Sequence, residues 1–341
     1  MPLEFVSAKS AALLGAKLAG ADACVSPEDR ALCRQACVPH LQSTDPAISA
    51  TGGCIAGRRT MAILDASCAQ SNAISTMASM RLPVVSMLYS QAHPQLGELH
   101  SAFYSLTDTG CIMFSPENLQ ELLDLVIHAY RVSEDRKVLL PSVVQFDDPH
   151  LAEDVSVPGD KVISAFIKHQ ALPHKIDAKK PAALGGPSWD AALKMQQVKA
   201  MENAASLYKS VAKTWNTKFR RAYSAVEAYK TDDADFILVT MGSHSLTAKK
   251  AADTMRERGV KVGVARIRIF RPFPYRELSE ILSKSKAAAT ADFSAPIGGR
   301  TPLQRETCTA SSFAIMKRPS EKDFEEMFGK ISNDPKAYWV I

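Results

Sequence analysis

Two kinds of hydrophobic pattern alternate along this chain. Short, uninterrupted apolar runs of strand length lie between longer stretches in which apolar residues recur at helical spacing. The clearest unit is residues 235–274. Asp235–Met241 reads as a buried strand, Gly242-Ser243-His244-Ser245 breaks it, and Thr247–Gly259 has helical spacing with Gly259 as its stop. Val260–Arg268 reads as a second strand, ended by the prolines of Arg271-Pro272-Phe273-Pro274. Strand, helix, strand predicts a parallel βαβ crossover and therefore an α/β layer packing.

The alternation runs through the first 150 residues as well. Ser7–Ala19 predicts a helix closed by Gly20, and Ala21–Val25 a short buried strand. Ser26-Pro27-Glu28-Asp29 predicts a helix start, with a hydroxyl cap, Pro at the first position and acids in the first turn. Residues 39–60 are broken by Pro39, Thr44-Asp45-Pro46, Thr51-Gly52-Gly53 and Gly57, and fit no regular pattern. Strands are predicted at Thr60–Leu64, Leu82–Leu88, Cys111–Phe114 and Lys137–Phe146, and helices at 68–80 and from Ser115-Pro116 to Glu134. The order predicts a mostly parallel sheet with helices on both faces. Residues 155–187 predict an irregular arm, and Trp189–Tyr229 one long helix. That gives two expected domains, 1–230 and 231–341, the second with a strand at 290–294 and a tail from Pro319 holding one short helix.

Composition narrows the function classes. The chain is 46% apolar and 23% charged with a net charge of +5, and its basic residues are dispersed, so no nucleic-acid-binding stripe is expected. No apolar run is long enough to span a bilayer, and Met1-Pro2-Leu3-Glu4 lacks a basic region followed by an apolar core. Neither a membrane span nor a secretory signal is expected, and the location read from this is cytoplasmic. Seven cysteines, at 24, 33, 37, 54, 68, 111 and 308, include no tight cluster-binding spacing. They read as buried small hydrophobes in a reducing compartment, and no metal ligand is assigned to this chain. His93 and His100 flank a polar loop and are candidates for substrate contact or proton transfer. Ser243-His244-Ser245 reads either as a plain helix cap or as an anion-holding turn.

Several landmarks together resemble the alpha subunit of the pyruvate:ferredoxin oxidoreductase family, the 2-oxoacid:acceptor oxidoreductases. They are Ala56-Gly57-Arg58-Arg59-Thr60, Arg81-Leu82-Pro83-Val84-Val85, Asp108-Thr109-Gly110 with Ser115-Pro116-Glu117-Asn118-Leu119-Gln120-Glu121, Val138-Leu139-Leu140-Pro141 with Phe146-Asp147-Asp148, and Phe270-Arg271-Pro272-Phe273-Pro274. The resemblance implies a thiamine-diphosphate-binding fold of the pyrimidine-contacting kind, followed by a smaller transketolase C-terminal-like α/β domain. It implies oxidative decarboxylation of a 2-oxoacid to an acyl-CoA. It also implies thiamine diphosphate and Mg²⁺ shared with a diphosphate-binding beta subunit, and iron–sulfur clusters carried by other subunits. The expected partners are beta, gamma and ferredoxin-like delta subunits, the 2-oxoacid and CoA.

The site residues implied by the resemblance are altered here. Counting back from Ala56-Gly57, the family's thiamine-contacting Glu falls near Ser43, and the acids that could replace it are Asp45 and Asp65. The family's substrate-binding Arg is matched by Thr107, while Ser26-Pro27 keeps the hydroxyl of a Thr-Pro pair. The expected substrate contacts are therefore Ser26, Thr107 and His100, and the expected cofactor contacts Ser43, Gly52 and Asp65. Three readings follow: a working alpha subunit, a catalytically degenerate subunit that completes a complex, and a stand-alone small-molecule-binding α/β protein.

Overall fold

The computed structural model describes residues 2–65, 70–89, 100–167, 191–294, 299–333 and 338–340. In chain order the first part comprises β1 (Leu3–Ser7), α1 (Ala8–Leu18), β2 (Ala23–Ser26), α2 (Arg30–Gln35), β3 (His40–Gln42), α3 (Pro46–Ile55) and β4 (Thr60–Asp65). It continues with α4 (Ser71–Ser79), β5 (Val85–Tyr89), α5 (Ser101–Tyr104), β6 (Ile112–Phe114), α6 (Leu119–Ser133) and β7 (Ser142–Phe146). Next come β8 (Ala152–Ser156), α7 (Asp160–Ile167), α8 (Ala191–Phe219) and β9 (Val226–Tyr229). The last part holds β10 (Phe236–Met241), α9 (Ser245–Glu257), β11 (Val262–Ile267), β12 (Ile269–Arg271), α10 (Tyr275–Leu282) and β13 (Ala287–Asp292). It closes with α11 (Pro302–Thr307), β14 (Ser311–Ile315), α12 (Glu321–Asn333) and β15 (Tyr338–Val340).

The first sheet runs β12-β6-β7-β5-β4-β2-β3. All its neighbours are parallel except β12, which lies antiparallel to β6. Numbering β2 to β7 as 1 to 6, the parallel strands lie in the order 2-1-3-4-6-5. Every residue of β7 is buried, and so are the first five of β4, as expected for strands covered on both faces. Behind the sheet α6 is almost wholly buried, packed by α1, α7 and α8. The second sheet runs β15-β14-β13-β10-β11-β9, parallel throughout except for β9.

The structure corrects several expectations. The predicted strand Val260–Arg268 is β11 of the second sheet, but the chain does not stop pairing there: β12 follows at once, crosses over and pairs with β6 of the first sheet. The long helix stops at Phe219, not Tyr229, and after Arg220 in the left-handed region the chain returns as β9. At 29 residues α8 spans about 43 Å. Residues 39–60 are regular after all, as β3 and α3. Asp45 caps α3 by accepting from Ile48 N–H at 3.0 Å, with Pro46 at its first position. Gly53 is inside that helix because a Cβ there would lie 2.5 Å from Thr60 Cγ2 of β4. The helix after Ser115 is capped by Asn118, which accepts from Glu121 N–H at 2.8 Å. The helix after Ser26 starts at Arg30. Part of the expected arm is also ordered: β8 pairs with β1, and α7 follows it, while residues 168–190 lie outside the described residues.

Two devices join the sheets. One core combines Val25, Leu64 and Met77 of the first part with Ile237, Ile267 and Phe270 of the second. Beside it is a buried ion cluster. Arg266 of β11, fully buried, pairs with Glu121 at 3.0 Å and with Glu227 at 2.8 Å. Lys249 of α9 holds Glu117 at 2.8 Å and Glu227 at 2.5 Å, and Arg268 pairs with Glu121 and Glu227. Burial acts to raise the Glu227 carboxyl, but Arg266 and Lys249 outweigh it and hold it at about 2.

Candidate active site

In an open parallel sheet the strands' carboxyl ends form the usual ligand edge. Here that edge ends in Ser26, Gln42, Asp65, Tyr89 and Phe146, the last residues of β2, β3, β4, β5 and β7. A small cleft of about 170 Å³ opens there, lined by Lys9, Pro27, Glu28, Asp29, Ile63, Leu64, Asp65 and Tyr89. Lys9 pairs with Asp29 at 2.9 Å and sits over the Tyr89 ring at 4.8 Å from its centre. The Tyr89 hydroxyl donates to the Pro149 carbonyl at 3.2 Å. The cleft thus combines a carboxylate, an aromatic ring and aliphatic side chains, with an ion pair on its rim.

The structure brings three of the expected residues together. Ser26 Oγ lies 3.0 Å from His40 Nε2 and accepts from Asp29 N–H at 3.2 Å, which holds the Pro27–Asp29 turn against the cleft. Ser43 N–H donates to the Ser26 carbonyl at 3.1 Å. Asp65 lines the cleft itself. The Ser43 hydroxyl accepts from Ser49 Oγ at 2.8 Å and from Asp45 N–H at 3.1 Å. Asp45, as the cap of α3, faces that helix.

The other expected residues lie apart. Gly52 is exposed on α3, with open space where a Cβ would project. Thr107 donates its hydroxyl to the Tyr104 carbonyl at 2.6 Å, and its own carbonyl accepts from Arg271 at 3.3 Å. His93 and Cys68 lie outside the described residues. Lys9, Asp29 and Tyr89 were not singled out in the sequence, because three separated segments supply them and no spacing links them.

His100 belongs to a second polar cluster, between the sheets. It is fully buried, and its Nε2 lies 2.8 Å from Asp147 Oδ2. Asp147 accepts from Ser243 N–H through both oxygens, at 3.0 and 3.1 Å. His244 Nδ1 lies 3.9 Å from Asp147 Oδ2, and its Nε2 is 2.7 Å from Thr240 Oγ1. Burial works to raise the Asp147 carboxyl, but His100 and His244 outweigh it and hold the group well below the usual carboxylate range. Burial pushes the His244 imidazole down. Nearby, Tyr104 donates to Asp292 at 2.6 Å, and burial raises both groups.

Two mostly parallel sheets covered by helices, with a cleft at the carboxyl edge of the first, define an α/β protein of the open-sheet class. Its family follows from comparison with known proteins. Residues 43–216 match the family described as "Pyruvate flavodoxin/ferredoxin oxidoreductase, thiamine diP-bdg", and residues 234–322 match "Pyruvate:ferredoxin oxidoreductase core domain II". The "Pyruvate synthase subunit PorA" of Pyrococcus furiosus is 36% identical over 274 residues, 76% of this chain and 68% of that protein. The "Ketoisovalerate oxidoreductase subunit VorA" of Pyrococcus horikoshii is 32% identical over 293 residues, 81% of this chain and 74% of that protein. A solved 2-oxoglutarate:ferredoxin oxidoreductase from Magnetococcus marinus, with 2-oxoglutarate, coenzyme A and succinyl-CoA bound, superposes with a TM-score of 0.70 at 14% identity. That match covers 96% of this chain and 65% of the other, and it bears out the expected fold. The chain belongs to the pyruvate:ferredoxin oxidoreductase family and carries the thiamine-diphosphate-binding domain and core domain II of its alpha-type subunits. Among the described residues no helix is long and apolar enough to cross a membrane.

Proposed function

We propose that this chain works as the alpha subunit of a thiamine-diphosphate-dependent 2-oxoacid:acceptor oxidoreductase, in which a 2-oxoacid is oxidatively decarboxylated to an acyl-CoA. Its partners are a beta subunit holding the diphosphate and Mg²⁺, and gamma and ferredoxin-like delta subunits holding iron–sulfur clusters. The observation that supports this most is the carboxylate of Asp65 in the cleft at the carboxyl edge of a 2-1-3-4-6-5 sheet. A cleft of about 170 Å³ walled by Leu64, Tyr89 and a carboxylate suits an aminopyrimidine ring. Bound thiamine diphosphate supplies the electron sink for decarboxylation. Asp65 takes the role of the missing Glu and holds a proton at a pyrimidine ring nitrogen. Ile63, Leu64 and Tyr89 keep water from that ring, and the Lys9–Asp29 pair fixes the rim. Ser26 is buried with its hydroxyl on His40 and the Asp29 N–H, so it shapes the turn at the cleft's rim.

A second reading has its own support. The Ser43 hydroxyl accepts from Ser49 Oγ and from the Asp45 N–H, and the family's Glu position carries no acid. This favours a subunit that completes a complex without turning over. The two readings separate in one experiment. The chain is co-expressed with its neighbours, loaded with thiamine diphosphate and Mg²⁺, and assayed for CoA-dependent dye reduction with pyruvate, ketoisovalerate and 2-oxoglutarate. The working-subunit reading expects turnover with at least one of them. An assembled, cofactor-loaded complex with no turnover supports the degenerate reading.

A further inference from the structure

We infer that His100, Asp147 and His244 form a binding site for one divalent transition-metal ion of the zinc class, set between the two lobes. This is independent of the thiamine reading, because none of the three lines the cleft at Asp65. Asp147 follows β7, His100 precedes α5, and His244 lies one turn beyond β10. Their exposures are 4%, 0% and 4%, and one ligand atom from each falls within 4.8 Å of the others.

The distances suit an ion. Ligand atoms around a tetrahedral zinc with bonds of about 2.1 Å lie about 3.4 Å apart. Here His100 Nε2 to Asp147 Oδ2 is 2.8 Å, and His244 Nδ1 to the same oxygen is 3.9 Å. The two values bracket the required spacing, and side-chain shifts of about half an ångström bring both to it. The second distance is too long for a hydrogen bond, so the buried His244 Nδ1 faces a carboxylate without bonding to it. His100 Nδ1 is likewise buried without a hydrogen-bond partner. Unsatisfied nitrogens at such depth are costly, and an ion would occupy His244 Nδ1.

The surroundings are those of an oriented ligand set. Thr240 Oγ1 fixes the far nitrogen of His244, and Ser243 N–H steadies Asp147 through both oxygens, at 3.0 Å to Oδ1 and 3.1 Å to Oδ2. The space at Asp147 Oδ2 is kept open by Gly242. A Cβ there would lie 2.1 Å from that oxygen and 3.0 Å from His100 Nε2. Two imidazoles and one carboxylate select zinc, iron(II) or cobalt(II) over Mg²⁺ or Ca²⁺, which prefer oxygen ligands. No local motif announces the site, since the three ligands come from separate segments without metal-site spacing. An ion here would tie the end of β7 to the start of α9 and so couple the lobes.

The test uses the full-length, untagged chain, stripped with a chelator and titrated with Co²⁺ and then Zn²⁺. The site predicts one equivalent of Co²⁺ with a visible ligand-field band, displacement by Zn²⁺, and a rise in Tm with either ion. His244→Gln and Asp147→Asn should abolish the band. Should these variants fail to fold, X-ray absorption of the zinc-loaded wild-type chain still decides, because it reads an imidazole-containing N/O shell directly. Absence of retained zinc and of any Tm shift in the wild-type chain overturns the site and leaves a hydrogen-bonded His–Asp clasp. A sulfur shell, or a band that survives in folded His244→Gln, overturns it equally.

Discussion

Arg266 Nη2 of β11 lies 3.0 Å from Glu121 Oε1 of α6, and both side chains are buried. The pair ties α6, which packs behind the first sheet, to β11 of the second. Burial works to raise the Glu121 carboxyl, but Arg266 and Arg268 outweigh it and hold it below its ordinary value. Removing one partner leaves an unpaired buried charge, which costs about 3–5 kcal/mol. Glu121→Gln should therefore lower the denaturant midpoint sharply. A double change to Leu at Glu121 and Met at Arg266 should recover part of the loss, because it removes both charges. A single variant as stable as the wild type would show that the cluster contributes nothing.

His128 gives the fold a pH dependence of calculable sign. Its ring is boxed by Trp215 at 4.8 Å between ring centres and by Phe166, Tyr208 and Tyr223. Neither ring nitrogen has a hydrogen-bond partner. Burial pushes its imidazole down to about 3. The unfolded chain binds that proton at its ordinary value of about 6.5, so this contribution is whole above that pH and is lost as the pH falls towards 3. The loss approaches about 1.4 kcal/mol per pH unit between the two values. His128→Phe should flatten the fall in stability between pH 6.5 and 4, read by denaturation at each pH. An unchanged slope would count against the buried neutral imidazole.

Gly242 and Gly259 share a left-handed backbone, with φ of +83° and +84°, but differ in what surrounds them. A Cβ at Gly259 meets open space, whereas one at Gly242 meets Asp147 Oδ2 at 2.1 Å. Gly259→Ala should cost about 1 kcal/mol for the backbone alone. Gly242→Ala should cost about 2–4 kcal/mol, because overpacking adds to the backbone strain. Equal Tm losses in the two variants would place Asp147 farther from Gly242 than the structure has it.

Asp45 and Asp65 were the two acids available to replace the family's Glu, and the structure gives them different surroundings. Asp45→Ala should cost the usual cap penalty of about 1 kcal/mol and leave turnover of the assembled complex near wild type. Asp65→Asn should keep stability but lower kcat by about 100-fold or more, as expected when a group that acts on a proton is removed. Comparison of kcat with Tm for both variants checks the assignment, and the reverse pattern would move the role to Asp45.

The parts of this fold legible in the sequence were those whose burial is two-sided. β4, β7 and β10 are near-continuous apolar runs, and β10–α9–β11 stood out because Gly242 and Gly259 mark its breaks. β3 and α3 did not, because Gly52-Gly53 look like a break until the close approach to Thr60 is seen. β9 was absorbed into the preceding helix, since Val226-Glu227-Ala228-Tyr229 carries no turn signal of its own. Among the described residues β1 and β8 pair only with each other, and they are largely exposed, so neither shows a buried pattern. Asp65 was singled out through the resemblance as an acid at a strand's carboxyl end, and it lines the cleft there. His100 was picked out as a loop histidine, but its buried place beside Asp147 and His244 depends on a contact between lobes that no local pattern encodes.

The central claim is that this chain shelters the pyrimidine half of a thiamine cofactor whose diphosphate is held by a neighbour. Isothermal titration of thiamine diphosphate in the presence of Mg²⁺ tests it most directly, run on the chain alone, on its diphosphate-binding partner alone, and on the two together. Tight binding should appear only with both chains present and should weaken at least tenfold when this chain carries Asp65→Asn, a loss of about 1.4 kcal/mol. Equal affinity for the partner with and without this chain would contradict the account.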